Sequence, residues 1–376
     1  MIRTAEISTE EKVLEIVVSD ITTSGKDWDT FVEAHPCGHH AQTNFWAVAK
    51  MTIGWKGTQL VVREQNQIVA GAQLLLHPIP VLGNIGYVIK APLYPLDDNS
   101  MGRILLTHIL KEASRQHCFL IVIQPPDGGT QFSGLLQESG FQASVLIPEH
   151  ASTLILDLSV GLKQIKAGLK RQTYQSIRRS EREGIQVREG SHADLTTFYS
   201  LHLATSKRQA FYPYPLEYFE TLWQALRPRG HISLMLAEYQ GEVVSTLLLI
   251  CFRNTVFAYV LGWSGLYSHL RPNHALFWGA IQWAEKNAYK YFDFGGVDPL
   301  GARAVSSGED LPENLKHSPD FLKYGFGGKI IFYPGAYDFV NNRFLHRIYR
   351  KIPKQINEDS LLDRSFSYVR KILMRN

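Results

Sequence analysis

The residues of this chain best suited to chemistry lie in two glycine-rich clusters. The first reads Asp293-Phe294-Gly295-Gly296-Val297-Asp298-Pro299 and follows a short apolar run, 291–294, that predicts a buried strand. The second reads Phe321-Leu322-Lys323-Tyr324-Gly325-Phe326-Gly327-Gly328. A strand ending in paired glycines brings backbone close to something at the sheet edge, because glycine tolerates that approach and the positive-φ turns it needs. Gly295 and Gly296 are therefore candidate substrate-binding positions. The second cluster is expected to fold back over the same edge, delivering Lys323 and Tyr324. Asp293 suits a structural partner for loop amides, whereas Asp298 opens a loop and is the candidate catalytic carboxylate. His269, His274 and His317 could serve as bases but read as surface histidines.

Around these clusters the elements follow one order. Residues 231–238 and 242–252 alternate as a hairpin turning at Gln240-Gly241, 255–261 is a further strand, and 273–288 a helix before the strand 291–294. The first half carries the same order. A hairpin (55–64, 67–77) turns at Gln65-Asn66, then come a strand (85–90), a helix (101–116) and a strand (118–123) ending at Gln124-Pro125-Pro126-Asp127-Gly128-Gly129. A repeated β-β-β-α-β order predicts two similar α/β domains. Their expected limits are 1–155 and 156–340, with a basic helical tail over 341–376. Residues 162–184 predict a basic helix whose charged face is either solvated or turned toward an anion or nucleic acid.

Composition narrows the class. With 376 residues, 45% of them hydrophobic, the chain has material for two cores, and its net charge of +4 permits an anionic partner without demanding one. Cys37, Cys118 and Cys251 show neither paired nor metal-ligand spacing, so no metal is expected and Cys118 and Cys251 read as buried thiols. The first twenty residues carry four glutamates and no apolar core, and no apolar run is long enough to span a bilayer, so a cytoplasmic protein is expected. The tail could dock on the body, contact an anionic membrane surface or guide RNA. No Gly-x-Ser-x-Gly elbow, Walker loop or Rossmann fingerprint is present.

The repeated element order is that of the GNAT acyltransferase superfold. Such chemistry needs an amine nucleophile, a route for its proton and donors for a developing oxyanion. Several blocks resemble the FemABX family, non-ribosomal peptidyltransferases that move an amino acid from aminoacyl-tRNA onto an amine of a peptidoglycan precursor. They are Gln42-Thr43-Asn44-Phe45-Trp46-Ala47-Val48-Ala49-Lys50, the basic stretch 170–178 closed by Glu183-Gly184, Lys207-Arg208-Gln209-Ala210-Phe211, and the two glycine clusters. The resemblance extends from about residue 28 to 335 and implies two tandem GNAT-like domains without a long coiled-coil arm.

It further implies that Lys50 and Arg208 bind the phosphates of a UDP-linked acceptor. Taken alone, Lys50 reads as a helix-end lysine and Arg208 as a surface ion pair. By the same resemblance Lys323 contacts the tRNA acceptor end. Leu322 stands where the family has an aromatic residue, and Tyr324 is the substitute for stacking. Asp127 is the candidate for an acidic residue in the first domain. The implied partners are aminoacyl-tRNA as co-substrate, with no bound cofactor, and a UDP- or lipid-linked precursor, the protein acting as a monomer. The loop before helix 273–288 reads Ser268-His269-Leu270-Arg271-Pro272 and lacks the glycine signature of a coenzyme A cradle. The alternatives are an acyl-CoA or acyl-carrier donor on another acceptor, and a silent RNA- or precursor-binding protein.

Overall fold

The computed structural model describes residues 2–8, 13–23, 27–144, 146 and 149–340. The expected tail, 341–376, lies outside them. The chain forms two compact units, Met1–Glu149 together with the segment from Tyr333, and His150–Phe332.

The first unit begins with β1 (Arg3–Ser8) and β2 (Val13–Asp20), then α1 (Asp27–Ala34) and α2 (Asn44–Met51). The repeated core follows as β3 (Lys56–Glu64), β4 (Gln67–Ile79), β5 (Gly83–Ile89), α3 (Asn99–Arg115) and β6 (Cys118–Gln124). Helix α4 (Thr130–Glu138) and the short β7 (Gln142–Ala143) complete this stretch. In the second unit, β8 (Ser152–Asp157), α5 (Leu162–Gly168), α6 (Arg171–Arg182) and β9 (Gln186–Glu189) lead to α7 (Leu195–Gln209) and α8 (Leu216–Leu226). Its repeated core is β10 (Ile232–Tyr239), β11 (Glu242–Phe252), β12 (Thr255–Trp263), α9 (Pro272–Lys286) and β13 (Tyr291–Gly296). Helices α10 (Pro299–Ser307) and α11 (Pro319–Tyr324) and strand β14 (Lys329–Phe332) follow, and β15 (Tyr337–Val340) ends the described chain.

The α/β duplication read from the sequence is present. Both hairpins turn on two residues with positive φ, Gln65-Asn66 (46° and 71°) and Gln240-Gly241 (52° and 82°), the geometry that matches strand twist. In each unit the strand before the long helix pairs parallel with the strand after it. Helix α3 starts at Asp98, whose carboxylate accepts from Met101 N at 2.9 Å. The long central strands β4 and β11 are buried on both faces because helices cover the sheets.

Two expected boundaries move. Among the described residues the sheets run β1-β2-β3-β4-β5-β6-β15-β7 and β14-β8-β13-β12-β11-β10-β9. Residues 152–157, with 152–155 expected in the first domain, pair with β13 and β14 of the second sheet. Residues 337–340, expected in the second domain, lie between β6 and β7 of the first. An apolar strand such as β6 needs a partner on its open edge, and sequence periodicity cannot say which segment supplies it. The helix expected over 162–184 is two helices. Leu169 is extended (φ −64°, ψ 139°), which lets the Lys170 N–H reach Gly325 O at 2.9 Å.

The second core gathers Phe277, Phe292, Phe294 and Phe326 under the glycine clusters. The Phe294 and Phe326 ring centroids are 5.3 Å apart and those of Phe277 and Phe294 5.6 Å. Each such pair adds about 1 kcal/mol beyond its area burial. Phe294 and Phe326, contributed by the two clusters themselves, pack with Phe277 of α9 and hold the clusters down. Cys118 and Cys251 are buried free thiols, as expected.

Candidate functional site

The two repeats differ where the strands that flank the long helix end. In the first unit β5 and β6 stay paired to their ends, from Asn84 opposite Cys118 to Ile89 opposite Gln124. In the second unit β12 and β13 pair only from Thr255 opposite Tyr291 to Phe257 opposite Asp293. Beyond that point β13 follows β8, with a bulge between Asp293 and Gly296, while β12 continues to Trp263 along β11. The strands splay, and the splay opens at Gly295 and Gly296.

Local chemistry sets this geometry. Asp293 is buried and accepts a hydrogen bond from the Thr153 hydroxyl and another, at 2.8 Å, from Gly295 N. It is the structural partner for loop amides that its position suggested. Gly295 has φ 77°, and a Cβ there would lie 3.0 Å from Ala258 O. A Cβ on Gly296 would run into the His150 ring. Neither position accepts a side chain without moving backbone or an imidazole.

The second glycine cluster does return to this edge. Lys323, near the end of α11, donates from Nζ to Gly296 O at 2.5 Å and lies 3.2 Å from Asp320 Oδ1. Asp320 accepts from Asp298 N at 2.8 Å through its other oxygen. One lysine and one aspartate thus join α11 to the end of β13 and the start of α10. Gly328 has φ 102°, and a Cβ would stand 2.6 Å from Ile155 O, so this turn also requires glycine.

Other candidates are placed differently. Asp298 caps α10, its Oδ1 accepting from Leu300 N at 2.8 Å and Gly301 N at 3.1 Å, with Pro299 in the first turn. Its carboxylate serves the helix rather than standing free as a base. Tyr324 is 3% exposed within the core, so it cannot stack on a base or ribose as its sequence position suggested. Its hydroxyl has no partner among the described residues, and burial with Asp320 and Asp298 nearby raises its pKa. The exposed aromatic of this helix is Phe321, at 38%, which the sequence reading passed over.

Arg208, in the last turn of α7, donates from Nη2 to Trp263 O at 2.6 Å and to Thr205 Oγ1 at 3.2 Å, with its guanidinium 4.9 Å from the Trp263 ring centroid. It is anchored to the end of β12 rather than held in a surface ion pair. Desolvation lowers its pKa. His274 is partly buried, and desolvation takes its pKa down to about 4, which leaves it neutral at physiological pH.

In the first unit Lys50 is buried in the last turn of α2, with Nζ 5.6 Å from the centroids of both Trp46 and Trp55. Asp127 is half exposed and pairs at 2.8 Å with Lys90, whose side chain is 2% exposed. Lys90 also lies 3.3 Å from the Tyr333 ring centroid. Asp127 is thus the counter-charge of a buried lysine. Sequence reasoning missed Lys90 because a lysine closing a strand ordinarily points to water. His39, His40 and Glu149 place possible ligand atoms within 4.8 Å of one another and could hold a metal ion. His39 Nδ1 already accepts from Ala41 N at 3.2 Å.

Known proteins match along this architecture. The FemAB family matches residues 23–147 and the Acetyltransferase (GNAT) domain residues 168–303. The lipid II:glycine glycyltransferase of Staphylococcus saprophyticus is 26% identical over 227 residues, covering 57% of this chain and 55% of that protein. The structure of FemX superposes with a TM-score of 0.73 at 18% identity, covering 90% of this chain and 100% of that one. The first third of the chain thus matches the FemAB family, and the chain as a whole resembles FemABX proteins.

The Staphylococcus aureus protein of the same name is 24% identical over 226 residues, covering 57% of this chain and 54% of its own. The chain therefore spans about half the length of the curated relatives it matches. A tandem GNAT protein from the clavulanic acid biosynthesis pathway shares the fold, with a TM-score of 0.52 at 12% identity over 87% of this chain and 98% of that one. Two GNAT-like units are thus the fold of this chain, and the splay in its second unit is the candidate site.

Proposed function

We propose that the chain is an acyltransferase that moves an aminoacyl group from aminoacyl-tRNA to an amine of a peptidoglycan precursor, lipid- or UDP-linked. The observation that carries this reading is the splay of β12 from β13, with Lys323 fixed on the Gly296 carbonyl at its mouth. The names of the curated relatives point to the same acceptor chemistry. The acceptor amine attacks the ester carbonyl of the donor, a C–N bond forms, and the C–O bond to the ribose breaks. One proton leaves the nitrogen and one reaches the ribose oxygen. Backbone freed at the splay can face the developing oxyanion, and Lys323 supplies positive charge for the donor's 3′ end. Lys50 and Arg208 are the proposed acceptor-binding cations, and Asp298 and Asp127 act by positioning.

The loop ahead of α9 supports an ester donor over acyl-CoA. No glycine lies between Leu266 and Pro272, and Pro272 removes one of the first-turn N–H groups that a pyrophosphate would use. The test is mass spectrometry of a UDP-linked precursor incubated with the protein, amino acids, tRNA and synthetases, with lipid II and acetyl-CoA reactions alongside. Addition of one amino-acid residue, abolished by ribonuclease, is the expected outcome. Acetyl transfer alone, or no product with either acceptor, would overturn the proposal.

A further inference from the structure

Helix α6 presents a charged stripe that the candidate site leaves unused. Arg171, Gln175, Arg178 and Arg182 recur at spacings of four, three and four, which stacks them on one face. All four are exposed, while Thr173, Ser176, Ile177 and Ser180 are buried on the opposite side. Arg178 pairs with Glu181 at 3.4 Å and Arg182 with Glu183 at 2.9 Å, both in solvent where such pairs contribute little. Lys163, Lys170, Arg171 and Arg179 have no carboxylate partner among the described residues. Tyr174, 40% exposed, lies among these cations, with Lys166 Nζ 5.7 Å from its ring centroid.

A solvated face usually alternates its charges, because like charges four apart repel. Here Arg178 and Arg182 stand four apart. Lys170 and Arg171 sit at the helix N-terminus, where the dipole disfavours cations, and Lys170 makes no side-chain cap. A bound polyanion would relieve both strains.

The start of this helix is fastened to the candidate site. The Lys170 N–H donates to Gly325 O at 2.9 Å, and a Cβ on Gly325 would run into Thr173. A Cβ on Gly327 would lie 3.3 Å from Gly168 O, at the end of α5. The stripe therefore begins beside the turn that follows Lys323 and leads away from it for about 18 Å.

We propose that this face of α6 is the track for the phosphate backbone of the donor RNA's acceptor stem, continuing from the 3′ end held at Lys323. The inference rests on the aminoacyl-tRNA reading above. Arginine forks match phosphate oxygens, and an exposed aromatic between them suits nucleic acid. An anionic membrane fits less well. A helix lying in the lipid interface exposes Leu, Phe or Trp beside its cations, whereas the aliphatic Ile177 of α6 faces the core and its exposed aromatic, Tyr174, carries a hydroxyl.

The test compares two aminoacyl donors, full-length tRNA and an aminoacylated dinucleotide, in the wild type and in Arg171→Gln/Arg178→Gln/Arg182→Gln. The expected result is a KM for tRNA raised by about 10-fold or more and a logarithmic salt slope reduced by about 3, from three lost phosphate contacts on a base-paired stem. The dinucleotide KM is expected to stay unchanged. Replacing the same arginines with lysine is expected to restore most of the salt slope, and thermal melts check folding. Equal effects on both donors, or none on either, would overturn the track. Retained tRNA kinetics with lost binding to phosphatidylglycerol vesicles would assign the face to lipid instead. If the wild type uses neither donor, the functional reading fails, and the slope measured on binding of uncharged tRNA still decides the track.

Discussion

Lys323, the proposed donor-end cation, is held by two fixed oxygens, the Gly296 carbonyl and the Asp320 carboxylate. Lys323→Met is expected to lower aminoacyl transfer by about 10²-fold, the usual cost of removing one aligned electrostatic group, at temperatures where the variant, lowered in melting temperature by the lost Gly296 and Asp320 contacts, is still folded. Steady-state kinetics beside a thermal melt checks this, and near-normal turnover would remove Lys323 from the site. His202 makes a different prediction. It is 4% exposed, lies among Phe198, Phe211 and Phe219, and has no partner for either ring nitrogen among the described residues. Burial takes its pKa from 6.5 down to about 4. The unfolded chain takes up this proton near its ordinary pKa, whereas the folded protein resists until the lower value. Its stabilisation is therefore full above pH 6.5 and is lost as the pH falls through about 4, a swing of about 3 kcal/mol. Urea midpoints at pH 7.5 and 4.5 are expected to differ less in His202→Leu than in the wild type; an unchanged difference would refute this.

At the scale of the element, the start of α10 and the turn before β14 hold the splay in shape. Asp298 was read as a catalytic carboxylate because it opens a loop, and in the fold it caps the helix. Asparagine caps as well as aspartate does, and alanine costs about 1 kcal/mol. Asp298→Asn is thus expected to keep both stability and turnover, and Asp298→Ala to lose stability. An Asn variant that melts normally yet turns over nothing would return Asp298 to the chemistry. Gly328→Ala meets positive φ and the Ile155 carbonyl together. It is expected to destabilise the second unit by about 2 kcal/mol, measurable as a shifted urea midpoint.

At the scale of the molecule, the two units draw on the chain unequally. Residues 150–332 contain every strand of the second sheet, whereas the first sheet needs β15 from beyond them. A fragment 150–332 is expected to melt cooperatively by itself. A fragment 1–149 leaves the apolar edge of β6 open and is expected to aggregate unless 333–340 is supplied as an added strand. Equal solubility of 1–149 with and without that strand would contradict the account. Among the described residues no helix is long and apolar enough to cross a membrane.

What could be read without coordinates was whatever local chemistry controls. The repeated hairpins follow from two-residue turns with positive φ, the long helices from their spacing of apolar residues, and the glycine clusters from backbone that no side chain could occupy. Placing Lys323 on the first cluster was legible too, since a short chain between two glycine runs can return to the edge it left. Partners distant in sequence were beyond such reading. Only the fold showed that β5 and β6 stay together while β12 and β13 part, that Asp127 neutralises a buried Lys90, and that Tyr324 faces the core. Edge pairing, burial and charge compensation depend on what arrives from elsewhere in the chain, and one-dimensional periodicity carries no record of it.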